Sequence, residues 1–259
     1  MAEINAASAA LRARLVEQVT FQMSVDVGRI ELGFAVAEAA LGGGVDIIEM
    51  GTPLLKTEGV RHVVPAFRAR FPQVTLLADM KSMDGAGYEA EGVYAGGGNI
   101  IDFLALAGVA SARAVCAARD GWREREPEMA RLAFADILLP MEAPVARAVE
   151  TAQAMADAGV DGVGLHLQLD ARRADAALFG SSLLSDAAEA VFAAVGARLS
   201  VQVVGGLTIA QAVGLRRRGL RAFVISGNLG ADDGVARYER PGVEIAEGVR
   251  GFIDAVRAG

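Results

Sequence analysis

An alternation that runs the length of the chain restricts the fold more than any other feature. Short β-branched runs recur, and each is followed by a longer alanine-rich stretch. VTFQMSV (19–25), VDIIEM (45–50), VTLLAD (74–79), NIIDFLAL (99–106), RLAFADILL (131–139), VDGVGLHL (160–167), RLSVQVVG (198–205) and RAFVISG (221–227) read as strands. The stretches over 29–41, 57–70, 85–96, 109–130, 143–158, 170–195 and 208–218 read as helices, with a final helix ending near 257. A strand that returns parallel to its predecessor needs a crossover connection, usually a helix. Eight such units in succession predict a closed (β/α)8 TIM barrel rather than an open sheet, and 259 residues is an ordinary length for one. The chain is therefore expected to be one barrel domain over 1–259, with residues 1–18 as an extra N-terminal helix that covers the barrel bottom or sits at a subunit contact.

This fold places active sites at the carboxyl ends of its strands. Asp26 stands at the end of the first strand and Glu49 at the end of the second. Asp79 ends the third, with Lys81 and Asp84 just beyond. Asp136 lies on the fifth and His166 late on the sixth. The seventh and eighth end in glycine turns, VVGGLT (203–208) and ISGNLG (225–230).

Each group has a chemical reading and a plainer one. Glu49 and Asp79 follow adjacent strands, so their carboxylates can meet at one hard cation such as Mg2+, which takes oxygen ligands; alternatively each caps the next helix, although glutamate is a poor N-cap. Lys81 lies two residues from Asp79. Its acidic neighbours favour the ammonium, which argues against a Schiff base and for binding an oxyanion; the plainer reading is an internal salt bridge. His166 is suited to general acid–base work by its near-neutral pKa, or is a satisfied core histidine. His62 falls inside a helical pattern and reads as structural. Gly205 and Gly206, with Ser226, Gly227 and Asn228, lie where this fold binds phosphate, through backbone amides and helix N-termini.

Composition narrows the partners. A net charge of −7, with arginine-rich stretches at 112–131 and 216–221 that are either interleaved with acids or placed at a helix end, argues against nucleic acid. Cys116 is the only cysteine, so no internal disulfide framework exists. The N-terminus carries early acids and no apolar signal region, and no uncharged run is long enough to span a bilayer. A soluble, cytoplasmic protein with no membrane partner is expected.

DIIEMGTPLLKTEGV (46–60) followed by LLADMKSMDGAGYEAE (76–91) resembles 3-hexulose-6-phosphate synthase and its relative 3-keto-L-gulonate-6-phosphate decarboxylase. Both belong to the orotidine-monophosphate-decarboxylase suprafamily, marked by an Asp-x-Lys-x-x-Asp motif that Asp79, Lys81 and Asp84 match. The resemblance spans roughly 20–230. It implies a catalytic set of Asp79, Lys81, Asp84 and His166, and Mg2+ held by Glu49 and Asp79. It also implies substrate contacts from Asp26 and Lys81, and a homodimer in which Asp84 reaches into the partner's site. The decarboxylase branch has an arginine three residues after the histidine, where this chain has Leu169, so the resemblance favours the aldolase: ribulose 5-phosphate plus formaldehyde through an enediolate. A β-keto-acid decarboxylase and a non-catalytic phosphosugar-binding protein are the alternatives. The chain departs from the family at Asp102, Gln168 and Asn228, and looks expanded over 119–128 and 177–192.

Overall fold

The computed structural model describes residues 4–259, so the first three residues of the N-terminal extension lie outside the described ones. Eight parallel strands close into a barrel in chain order: β1 (Thr20–Val25), β2 (Ile47–Met50), β3 (Thr75–Ser82), β4 (Ile100–Leu104), β5 (Leu132–Leu139), β6 (Gly162–Leu167), β7 (Ser200–Val204) and β8 (Ala222–Ile225). Closure is made by β1 against β8, with Thr20 opposite Ala222 and Met23 opposite Ile225. The expected (β/α)8 barrel with an extra N-terminal helix is the fold observed.

Strand side chains alternate between the two faces, and the barrel interior changes character along its axis. Leu77, Ile100 and Leu132 stand side by side near the amino end, in register across β3, β4 and β5. With Ile47 and Phe134 they form an apolar floor separate from the main core between strands and helices. Two residues further along β3 and β4, Asp79 faces Asp102 in register, and on β5 Asp136, four beyond Leu132, pairs with Gly164. Gly162 and Gly164 have a steric role here. A Cβ at Gly162 would lie 2.6 Å from the Phe134 ring, and one at Gly164 would lie 3.1 Å from Asp136 Oδ1. The two missing side chains admit the largest floor residue and the carboxylate above it.

The helix Ala6–Glu17 plugs the floor from outside, the first of the two positions open to it from sequence. Leu15 is buried among the floor residues and Leu11 packs beside it. Ser8 accepts a hydrogen bond from the Arg131 amide at 2.9 Å, which ties the helix to the entry of β5, and Asn5 donates to the Arg123 carbonyl at 3.2 Å, on the helix that precedes β5.

Elsewhere, regular structure is more broken than periodicity predicts. The helix expected over 57–70 is two helices, Thr52–Glu58 and Val60–Arg70, parted at Gly59 with φ +86°. The region 170–195 divides into Leu169–Ala174, Ala177–Gly180 and Leu183–Val195. Gly59 marks the first break, but a lone glycine is tolerated inside a helical pattern, so composition alone does not require a stop there. The segment expanded over 119–128 mostly lengthens the helix Gly108–Arg125, where Arg119 and Arg123 pair with the buried Asp161. After β8 the chain runs without a helix until Gly242–Ala258. No helix among the described residues is long and apolar enough to cross a membrane.

If the first helix completes the floor, Leu15→Ala will lower unfolding stability by about 2–5 kcal/mol, the usual cost of a buried leucine cavity. Denaturant titration measures this directly. A loss below about 0.5 kcal/mol, the scale of an ordinary surface substitution, would mean that the barrel does not need the plug.

Candidate active site

The carboxyl ends of β1, β2, β3, β6, β7 and β8 surround a cavity of about 390 Å³. Asp26, Glu49, Asp79 and His166 line one part of it, and Gly205, Gly206, Ser226, Gly227 and Asn228 line another. Lys81 is bonded to Asp79, one of these lining residues. Its Nζ donates to Asp79 Oδ1 at 2.7 Å and to Asp136 Oδ2 at 2.7 Å. The reach back to Asp79 is not that of a plain extended strand. The β3–β4 register shifts between Asp79 and Ser82, and Lys81 takes φ +48°, a costly conformation for a side-chain-bearing residue.

Asp136 joins the lysine to the histidine. Its Oδ2 also lies 3.0 Å from His166 Nδ1. Burial raises the Asp136 pKa, but the charges and hydrogen bonds of His166 and Lys81 outweigh it and bring the value down to about 2. An ionised carboxylate only accepts, so His166 Nδ1 carries the proton and Nε2 is left for a ligand. Burial pulls the Lys81 pKa down, yet Asp79, Asp136 and Asp102 together hold it well above the ordinary lysine value. The lysine is an ammonium, as its sequence neighbours imply, and it also forms the buried ion pair of the plainer reading.

The other acids are crowded. Asp79, Asp102 and Asp136 bring carboxylate oxygens within 4.8 Å of one another. Asp102 and Asp136 each keep a buried Oδ1 without a hydrogen-bond partner. Glu49 accepts from Gln22 Nε2 at 2.5 Å, and Gln22 in turn accepts from Gln202 Nε2 at 2.8 Å. Burial first, and then the charges of Asp79 and Asp26, push the Glu49 pKa well up. Burial, Asp136 and Asp79 do the same to Asp102. Neither Glu49 nor Asp79 caps a helix, since Gly51 and Gly85 hold those positions and make no side-chain cap bond. Asp79 Oδ2 instead accepts from Thr52 Oγ1 at 2.8 Å. Gly51, which follows the Glu-Met end of β2, clears the space for Asp26, because a Cβ there would lie 2.2 Å from Asp26 Oδ1.

The chain matches the model of the orotidine 5'-phosphate decarboxylase / HUMPS family over residues 20–227. It belongs to that family. Among curated relatives, the 3-hexulose-6-phosphate synthase of Methylomonas aminofaciens is 29% identical over 224 residues, covering 86% of this chain and 97% of that one. The synthase of Mycobacterium gastri is 36% identical over 90 residues, 35% of this chain and 41% of its own. Solved structures share the fold. The 3-hexulose-6-phosphate synthase of Salmonella typhimurium superposes with a TM-score of 0.71 at 18% identity, over 92% of this chain and 99% of that one. KGPDC from Streptococcus mutans, solved as a ligand complex, gives 0.70 at 20%, over 93% and 98%. The chain is an enzyme of the lyase class.

Within this member of the orotidine 5'-phosphate decarboxylase / HUMPS family, one expected site residue stands apart. Asp84 is exposed and accepts from the Gly85 amide at 2.8 Å, outside the cavity of its own chain. Asn228 is in place but differently employed: its Nδ2 donates to the carbonyls of Gly206, Leu207 and Ala231, tying the two glycine turns together.

Sequence reasoning gave Asp136 a place on the rim but no role, because its partners come from other strands. It missed Tyr238 altogether, whose hydroxyl donates to the Ser24 carbonyl at 2.9 Å and lies 3.3 Å from Asp26 Oδ2. It also missed Arg172, whose Nη1 donates to the Gly205 carbonyl at 2.5 Å. Both lie outside the strand-end pattern that located the other site residues. The one available signal was the arginine pair Arg172–Arg173 just after a strand end.

The raised Glu49 pKa makes a signed prediction for protein kept free of divalent ions by chelator. A carboxyl whose pKa is raised on folding weighs against the fold above that pKa, and the penalty fades as pH falls toward the unfolded value. Glu49→Gln should therefore raise the melting temperature more at pH 7.5 than at pH 5. Equal shifts at both pH values would show that Glu49 is not held above its ordinary range.

Proposed function

We propose that the protein is a magnesium-dependent aldolase that joins ribulose 5-phosphate to formaldehyde, as a 3-hexulose-6-phosphate synthase does. The observation that carries this reading is the Lys81–Asp136–His166 chain, whose His166 lines one cavity together with Asp26, Glu49, Asp79 and the two glycine turns. The near full-length similarity to the Methylomonas aminofaciens synthase supports the same reaction.

Glu49 and Asp79 fit a hard cation. They are buried oxygen donors on adjacent strands, and the charge of one raises the pKa of the other, a conflict that a cation relieves. When bound, Mg2+ supplies positive charge to oxygens that become anionic on the sugar. The remaining roles fall to side chains. His166 Nε2 removes a proton from C1 of the ketose, while Asp136 fixes the ring and stabilises the imidazolium. The electron pair released at C1 is shared with the carbonyl oxygen as an enediolate, beside the Lys81 ammonium. C1 then attacks the formaldehyde carbon, the carbonyl pair moves onto its oxygen, and that oxygen takes the proton from His166. The reverse order cleaves the hexulose phosphate.

Leu169 supports the aldolase over the decarboxylase, since a half-exposed leucine stands where that branch has an arginine. A homodimer is part of the same reading. Asp84 lies beside the exposed Met83, and Tyr88, in the first turn of the helix Ala86–Ala95, and Leu106, just after β4, are also exposed, apolar surface that a second copy would cover. The buried lone Cys116 fits a cytoplasmic setting.

With Mg2+, the protein should consume formaldehyde only when ribulose 5-phosphate is present, and EDTA should stop it. Lys81→Ala and His166→Ala should each lower kcat/KM by roughly 10²–10⁴-fold, the range for a positioned acid or base. Release of CO2 from 3-keto-L-gulonate 6-phosphate without formaldehyde consumption would instead select the decarboxylase, and phosphosugar binding with neither activity would mark a binder.

A further inference from the structure

The cavity is divided by charge. Asp26, Glu49 and Asp79 line the side formed by β1–β3, and an anionic group placed there meets carboxylates. The opposite side is formed by the β7 and β8 turns and by the loop after β6. Its guanidinium groups are those of Arg172 and Arg173. They differ in how firmly they are held. The Arg173 side chain is 71% exposed, with its Nη1 3.6 Å from the still more exposed Asp170. Arg172 is half-buried and anchored by Nη1 on the Gly205 carbonyl.

The anchor sets the guanidinium directly over a glycine turn. Gly205 has φ +115° and Gly206 φ +70°, so both positions favour glycine. A Cβ at Gly206 would lie 2.8 Å from Arg172 Nη1. The turn thus keeps the arginine close enough for one phosphoryl group to meet both the guanidinium and the backbone. The lining residues of the β8 turn, Ser226, Gly227 and Asn228, include no cation, and the Asn228 amide is occupied by Gly206, Leu207 and Ala231.

We propose that Arg172 is the phosphate-binding cation of this active site, clamping the phosphoryl group of the substrate against the Gly205–Gly206 turn. The inference rests on the phosphosugar reading of the site. A guanidinium matches phosphate oxygens in a fixed fork, which a mobile ammonium does not. The clamp grips a part of the substrate that does not react, so it acts by binding and positioning the substrate rather than by moving a proton.

The test is calorimetric binding of ribose 5-phosphate, ribose and inorganic phosphate to the wild-type protein, Arg172→Ala, Arg172→Gln and Arg173→Ala. Arg172→Gln keeps a polar side chain while removing the charge and the guanidinium fork, and the ribose arm reports separately whether the loop is still supported. Loss of a charged hydrogen bond should weaken ribose 5-phosphate binding roughly 10- to 100-fold in both Arg172 variants. The binding of ribose should be unchanged, and the Arg173 variant should stay within about threefold of wild type, as an exposed charge does. In turnover, kcat/KM should fall by a comparable factor. If Arg172→Gln binds ribose 5-phosphate like the wild type, the proposal is overturned while the phosphosugar reading stands. If the wild-type protein binds neither ribose 5-phosphate nor phosphate, both fall together.

Discussion

The Lys81 ammonium between Asp79 and Asp136 is the interaction on which the rest of the site depends. Asp26, Glu49, Asp79, Asp102 and Asp136 are gathered at one barrel mouth, and Lys81 places its ammonium among them. Buried carboxylates are costly unless paired, and breaking a buried pair typically costs about 3–5 kcal/mol. The lysine stabilises two of these acids directly. With His166 it holds Asp136 ionised, and that carboxylate fixes the His166 tautomer, which leaves Nε2 for a ligand. A backbone strained at φ +48° is retained to make this reach. Glu49 and Asp102, which the lysine does not touch, keep their pKa values raised, and that unmet demand for positive charge is the physical case for a divalent ion.

The barrel supplies the positions by simple means. Apolar side chains fill its amino end, and the N-terminal helix covers them. The acids occupy the layers above, on the same inward-facing alternation that puts Leu77 and Asp79 on one face of β3. Glycines at 51, 162 and 164 remove side chains where Asp26, Phe134 and Asp136 need volume. The site is therefore assembled as much by what the sequence omits as by what it contains.

The barrel and part of the lining of the candidate site were legible from the chain alone, for identifiable reasons. Strand order follows from the recurrent apolar runs, and strand ends point to the mouth, so Asp26, Glu49, Asp79 and His166 could be found by counting. The glycine turns could be placed because two occur at the right units. What could not be read depends on contacts between distant segments. Asp136 was visible, but its bonds to Lys81 and His166 were not. Tyr238 and Arg172 reach the site from beyond the strand ends, where no periodicity points inward. The breaks at Gly59 and within 170–195 fall at glycine, serine or aspartate positions that a helical pattern tolerates, so their effect was not legible. Asp84 is a different case: the motif identifies it, while a single chain leaves it on the surface.

The central claim is that the acid pair of β2 and β3 accepts a divalent cation while Lys81 stays bound to Asp136. The most direct measurement is an anomalous difference map from crystals soaked with Mn2+ as a probe. The account predicts a peak in contact with the Glu49 and Asp79 carboxylates, with the Lys81 ammonium still at hydrogen-bond distance from Asp136. A peak held by Asp102 and Asp136 with the lysine displaced, or no peak at the mouth at all, would contradict it.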